Sequence, residues 1–324
     1  MESRKEKIIT TIGIDLGGTN TSLGLVDNEG RILSKINFPT NLPTPADWSK
    51  RVWEEIDILC KKHNNITVKG IGIGAPCANN KTGVIEGATD LPWESPFSLV
   101  ELFGRFTDIP VSVTNDANAA AIGEMIYGEA KGLHNFIVLT LGTGVGAGVV
   151  VDGHLLNGNH GFAGELGHIT FPFAQERACG CGRKGCLQTV ASAKGIVRTA
   201  LDLLSQSAEP SVLREIPGEK LSSHDIAKAA ENGDKLARDV FEFTGKCLGK
   251  AAAEFAAFTD PEAIILFGGV AKAGKLLLDP MTKAFHENAL FLYDKVKILI
   301  STLPESDSAV LGAASLPYLK DNCN

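Results

Sequence analysis

No apolar run in the 324-residue chain approaches the ~20 residues that a membrane span needs. The opening, Met1-Glu-Ser-Arg-Lys-Glu-Lys7, lacks the apolar core of a signal peptide and runs straight into a strand-like segment, which predicts a cytoplasmic protein with no membrane partner. An excess of positive charge is missing too: 31 Lys and Arg face 38 Asp and Glu, and the net charge of −7 argues against nucleic acid as the main partner. Cysteines are few, seven in all, and three fall in one loop while Cys60, Cys77, Cys247 and Cys323 are scattered. That distribution excludes a disulfide framework and fits a reducing compartment. What remains is the composition of a soluble globular protein, 44% hydrophobic and 21% charged, at a length for roughly two domains.

The cysteine-bearing stretch is Gly161-Phe-Ala-Gly-Glu165-Leu-Gly-His168, followed by Cys179-Gly-Cys181-Gly-Arg-Lys-Gly-Cys186-Leu-Gln188. Its spacing, His-x10-Cys-x-Cys-x4-Cys, offers one imidazole and three thiols, with glycines that let the backbone fold back on itself. His168, Cys179, Cys181 and Cys186 would complete a tetrahedral Zn²⁺ shell with no open position, so the metal is expected to be structural. Core thiols beside a hydrogen-bonded histidine would not need a loop threaded with glycine. Glu165 shares a glycine-flanked turn with His168, a rigid polar pair suited to gripping a polyol.

Strands are expected over Ile8 to Ile14, Thr21 to Val26 and Arg31 to Ile36, the first two joined by Asp15-Leu-Gly17-Gly18-Thr19-Asn20. Backbone NH groups and the Thr19 hydroxyl of such a turn can face phosphate oxygens, while Asp15 can hold hydrated Mg²⁺. Taken alone, a tight turn with Asp15 serving only the turn accounts for it equally. A helix from about Asp47 to Lys61 and a buried strand Val68 to Gly74 follow, and then the strand Val111 to Thr114 runs into Asn115-Asp116 and a helix Ala117 to Tyr127. Asn and Asp are favoured helix starters, but at the carboxyl end of a strand they also stand where α/β sheets bind ligands. The carboxylate there can take a proton from a hydroxyl.

The strand Phe136 to Leu141, the glycine-threonine stretch 142–148 and the strand Val149 to Asp152 repeat the opening plan, so a second phosphate turn is expected at Gly142-Thr143-Gly144 and the chain reads as built twice on one βββαβα scheme. Helices are expected over Ser192 to Leu204, Ser222 to Glu231, Asp234 to Phe258 and Ala309 to Tyr318, with strands over Ala263 to Phe267 and Val296 to Ile300. Any side chain at Gly268 or Gly269 would keep a flat ring or ribose away from the backbone.

Together Asp15-x-Gly-Gly-Thr19, Asn115-Asp116, Leu141-Gly-Thr-Gly-Val-Gly146, Gly164-Glu-x-Gly-His168, Cys179-Gly-Cys-Gly-x-x-Gly-Cys186 and Phe267-Gly-Gly269 resemble the ROK family of sugar kinases and repressors over nearly the whole chain. The resemblance implies a duplicated actin-like/ribonuclease H-like α/β fold with two domains around a cleft. Residues 1–117 plus about 309–324 would form the small domain, and residues 118–308 the large one with the zinc loop. It implies a cytoplasmic homodimer that transfers phosphate from ATP to the 6-hydroxyl of a hexose. Asp116 would be the base; Asn115, Glu165 and His168 would bind the sugar. Gly17, Gly18, Thr19, Gly142, Thr143 and Gly144 would surround the phosphates, and Gly268 and Gly269 would border adenosine.

Two positions depart from the family pattern: glutamate is usual where this chain has Gln188, and glycine is usual where it has Cys77. Both bear on which sugar is accepted, Gln188 as a reader of the C1 and C2 end of the ring or as a brace for the zinc loop. Kinases for N-acetylated hexosamines or fructose are the nearest alternatives to a glucokinase. Family repressors carry a helix-turn-helix ahead of the first turn, whereas fourteen residues precede Asp15, so a kinase is expected rather than a DNA binder.

Overall fold

The computed structural model describes residues 7–320 apart from Asn64, Thr89, Asp90 and Gln175; Cys323 and the first six residues lie outside the described residues. In chain order the elements are β1 Ile8–Leu16, β2 Asn20–Asp27, β3 Ile32–Pro39, α1 Pro45–Lys61, β4 Ile66–Gly74, β5 Val84–Ile85, β6 Phe97–Ser98, α2 Leu99–Phe103, β7 Val111–Thr114, α3 Asp116–Tyr127, β8 Phe136–Leu141, β9 Val145–Val151 and β10 His154–Leu155. There follow α4 Gln188–Ala191, α5 Ala193–Gln206, α6 Ser223–Glu231, α7 Lys235–Thr259, β11 Ala263–Phe267, α8 Lys275–Asn288, β12 Lys297–Ile300 and α9 Glu305–Lys320. No helix among the described residues is long and apolar enough to cross a membrane.

The chain divides into two compact units, one of Met1–Lys131, Leu155–Ala163 and Thr302–Asn324, the other of Gly132–His154 and Gly164–Ser301. Each holds a five-stranded sheet, in the orders β3-β2-β1-β4-β7 and β10-β9-β8-β11-β12. In both, the first strand pairs antiparallel with the second and parallel with its other neighbour, so the sheet plan is repeated as expected. The first core gathers Ile12, Ile14, Leu16, Ile71 and Ile73 from the sheet with Trp48 and Val52 from α1. The second sets Ile137, Leu139, Ile264 and Leu266 against α5, α7 and α8. Strands β8 and β11, buried on both faces, read as near-continuous apolar runs, whereas β1 and β4 alternate Ile with glycine, the glycines on the face that meets α9.

Helix α9 begins at Glu305, four residues ahead of the expected Ala309, and two further starts differ for a local reason. Helix α1 begins at Pro45 because the Thr44 side chain accepts from Asp47 N and proline has no NH to leave unpaired. Strand β9 begins at Val145, not after Gly148: Gly146 and Gly148 pair with Thr140 and Val138 as ordinary ladder residues, which leaves a turn of only Gly142–Gly144.

Helix α9 lies directly on the first sheet. Gly13 and Gly72 are register partners on β1 and β4, and a Cβ on either would come within 2.0 Å of Val310 O or 1.8 Å of Ala313 O. Gly312 gives α9 the same closeness to α3, where a Cβ would meet Ala119 O at 2.4 Å. Three glycines thus let α9 approach the sheet and α3 backbone to backbone. Gly72→Ala is expected to lower unfolding free energy by about 3 kcal/mol or more, as overpacking against a backbone carbonyl that cannot move aside; denaturant titration of the two proteins checks it, and a loss within 0.5 kcal/mol, the usual scatter of surface changes, would contradict the packing account.

Candidate active site

Register brings the first group of expected residues to one edge. Asp15 on β1 pairs with Gly74 on β4, and Gly74 pairs with Thr114 on β7, so the carboxyl ends of three parallel strands form a row that Asn115-Asp116 extends. Asn115 caps α3, its Oδ1 accepting from Asn118 N at 2.7 Å. The N-cap reading therefore holds without excluding a ligand role, because the carboxamide NH₂ is not used by the cap. Asp116, the first residue of α3, is exposed and accepts from Ala117 N at 2.9 Å through Oδ1. Burial, and then the charge of Asp116, raise the Asp15 carboxyl from 3.8 to about 6, against a smaller opposing pull from Lys35. Two carboxylates this close make a natural place for a cation.

The neighbouring turn is braced from below. Gly17 N donates to Asn20 O at 3.1 Å, Thr40 Oγ1 donates to Gly17 O at 2.8 Å, and Thr40 N donates to Thr19 O at 2.9 Å. Thr21 Oγ1 sits between Thr40 Oγ1 and Trp48 Nε1, each at 2.9 Å. Gly18 is half-buried, while Thr19 is left exposed at the turn. Cys77, just past the end of β4, takes φ +51, the left-handed region that favours the glycine usual there.

In the second unit, Gly142, Thr143 and Gly144 leave β8, and Gly268 and Gly269 leave its parallel neighbour β11. Gly268 has φ +98 and a Cβ there would meet Leu141 O at 2.8 Å, so its first requirement is the neighbouring strand end rather than a ligand ring. Gly269 lines a cavity of about 600 Å³ with Val270, Lys272 and Ala273, Ile196 of α5, Phe241 of α7, and Ser223, His224, Ala227, Lys228 and Glu231 of α6. Its mixed apolar wall and cationic groups suit a flat base with phosphates attached. Sequence reasoning missed His224 and Lys228; their i,i+4 spacing on α6 was legible, but nothing in the sequence says which face meets the Gly269–Ala273 turn.

The metal-binding candidates come together. The donor atoms of His168, Cys179, Cys181 and Cys186 all lie within 4.8 Å of one another. Cys181 and Cys186 Sγ are 3.7 Å apart and Cys179 Sγ is 3.8 Å from His168 Nδ1, close to the ~3.8 Å edge of a tetrahedron built on ~2.3 Å metal–sulfur bonds. Donor type, number and spacing therefore fit a tetrahedral metal ion. Burial would raise the Cys179 thiol, but hydrogen bonds from the Cys181 backbone NH and from the Gln188, Cys181 and Cys186 side chains together outweigh it and hold the thiol at about 6. With Nδ1 turned to the thiols, His168 Nε2 stands 3.9 Å from Glu165 Oε2, and both side chains are partly exposed. Gln188 has its carboxamide on Cys179 Sγ and the Val145 NH. Arg177, also missed, donates to Thr189 O, Thr199 Oγ1 and Asp202 Oδ2, each at 2.9 Å, and so ties the loop to α4 and α5.

Paired sheets of one topology, each with a glycine turn at its strand ends, define an actin-like α/β protein. The ROK family profile matches residues 11–318, and the chain belongs to the ROK family. It is 36% identical over 317 residues to a glucokinase of Halalkalibacterium halodurans, covering 96% of both chains. A ROK family glucokinase of Streptomyces griseus, solved with glucose and AMPPNP, superposes with a TM-score of 0.78 at 32% identity over 95% of this chain and 98% of that one. An N-acetylmannosamine kinase of Escherichia fergusonii is 29% identical over 95% of this chain and 98% of its own, and a xylose repressor of Caldicellulosiruptor bescii is 28% identical over 94% of this chain and 77% of its own.

The Asp15 carboxyl is held above its ordinary value by the fold. It binds its proton more tightly folded than unfolded, so it favours folding fully below about 3.8 and loses that contribution as pH rises through about 6. In the absence of divalent cations, Asp15→Asn is expected to match the wild-type melting temperature near pH 4 and exceed it increasingly up to pH 7. Melting curves across that range check this; a difference that stays flat or shrinks with pH would contradict it.

Proposed function

We propose that the chain is an ATP-dependent hexose kinase of the glucokinase type, phosphorylating the sugar 6-hydroxyl. The observation that carries the reading is the strand-end row that sets Asp116 beside Asp15. Asp116 accepts the proton of the 6-hydroxyl as its oxygen bonds to the γ-phosphorus and the bond to the leaving ADP breaks. Asn115 holds sugar hydroxyls beside it. The Gly17-Gly18-Thr19 and Gly142-Thr143-Gly144 turns offer NH groups to the phosphates, where charge on the transferring group is stabilised by fixed dipoles. The cavity beside Gly269 takes the adenosine. Asp15 would hold Mg²⁺, which when bound neutralises phosphate charge.

His168, Cys179, Cys181 and Cys186 would hold Zn²⁺ as a structural ion. With Nδ1 given to the metal, His168 keeps its proton on Nε2, and that NH together with the Glu165 carboxylate grips ring hydroxyls. Gln188 and Cys77 leave the choice of hexose to experiment, with N-acetylhexosamines and fructose as the nearest alternatives to glucose. The reading includes a cytoplasmic homodimer without nucleic-acid or membrane partners, in keeping with the net charge of −7.

Asp116→Asn tests the chemistry: kcat should fall by about 10²- to 10⁴-fold while sugar affinity changes little, since the amide keeps the shape but accepts no proton. A variant that retains more than about a tenth of wild-type kcat removes Asp116 from the role of base. For the metal, elemental analysis should find one zinc per chain, and Cys179→Ala should lose zinc and sugar affinity together. Fully active protein without zinc would refute that part.

A further inference from the structure

Gln188 is where three functional segments of the second unit meet. Its side chain, half-buried on the first residue of α4, donates from Nε2 to Cys179 Sγ at 3.0 Å and accepts at Oε1 from Val145 N at 3.4 Å. Val145 directly follows the Gly142–Gly144 turn, and a Cβ on Gly144 would stand 3.0 Å from the same Oε1. The other end of that turn is held from the same helical segment, because Ala193 N donates to Gly142 O at 2.8 Å, and Gln188 O accepts from Ser192 Oγ at 2.6 Å. The far side of Val145 completes the arrangement: its carbonyl lies so close to Gly167 that a Cβ there would be 1.9 Å away, between Glu165 and His168.

A carboxamide suits this place because it carries one donor and one acceptor side. A thiolate needs the donor and a backbone NH needs the acceptor. We propose that Gln188 is a positioning residue that couples the metal loop to the phosphate turn, so that metal held at Cys179 keeps Gly142–Val145 in the shape that receives the nucleotide phosphates. The link itself rests on these contacts alone; what binds at the turn rests on the kinase reading. Glutamate at this position could still accept from Val145 N, but it has no donor for Cys179 and would set a like charge beside a thiolate. Leucine could do neither.

The two substitutions separate the two bonds. On zinc-loaded wild type, Gln188→Glu and Gln188→Leu, the rate of zinc release to a chromogenic chelator and the affinity for a non-hydrolysable ATP analogue are measured by absorbance and calorimetry. Both variants are expected to release zinc at least tenfold faster. Both are also expected to bind the analogue more weakly than wild type, by about fivefold or more, which is about 1 kcal/mol, because losing either bond severs Cys179 from the turn. Zinc release and analogue affinity both within twofold of wild type in the leucine variant would overturn the proposal. So would a glutamate variant with unchanged zinc release whose kcat/KM ratios among glucose, mannose and their N-acetylamino counterparts shift severalfold, because Gln188 would then read the sugar. Failure of the wild type to turn over any hexose would sink the kinase reading instead, and the zinc and analogue measurements need no turnover to decide the coupling.

Discussion

Parallel strands deliver their carboxyl ends to the same edge of a sheet, and the chemistry of this chain depends on that constraint. In the first unit the ladder pairs Asp15 with Gly74 and Gly74 with Thr114, so one carboxylate on β1 and another at the start of α3 share an edge although 101 positions separate Asp15 from Asp116. Gly13, Gly72 and Gly312 remove the side chains that would hold α9 away from the sheet and from α3. The second unit repeats the constraint with β8 and β11, whose ends carry the Gly142–Gly144 turn and Gly268-Gly269.

Both candidate regions crowd groups that ionise to anions in partly buried surroundings. Burial and Asp116 raise the Asp15 carboxyl, and in the metal loop three thiols crowd one imidazole. In each place a cation relieves a repulsion that folding itself has created. The thiol cluster differs in having neutral donors aimed at it: the Cys181 NH and the Gln188 carboxamide favour the thiolate form of Cys179 without adding charge.

The repeated strand-turn-strand plan, the Asn-Asp junction at a strand end and the clustering of His168 with three thiols were all legible, because each rests on local spacing. Thr19 must lie in the turn that Gly17 and Gly18 make possible, and His-x10-Cys-x-Cys-x4-Cys needs no long-range knowledge to suggest one shell. The glycines of β9 were misleading: in a run of four, sequence does not separate those that turn the chain from Gly146 and Gly148, which merely sit in a ladder. Gly268 was read as a place where a side chain would fend off a ligand ring, whereas the obstacle the fold shows is Leu141 O, a tertiary neighbour. His224, Lys228 and Arg177 escaped notice for the same reason. Each is a charged or polar residue on a helix or loop, and only packing reveals that two line a cavity and one spans a loop and two helices.

The central claim is that this edge transfers phosphate to a primary hydroxyl of a hexose. Incubating the wild-type protein with ATP, Mg²⁺ and each of a panel of hexoses, following ADP release and then locating the ester by phosphorus NMR, tests it most directly. The account predicts ADP release with at least one hexose and a single product esterified at O6. No sugar-dependent ADP release across the panel, or an ester at O1, would contradict it.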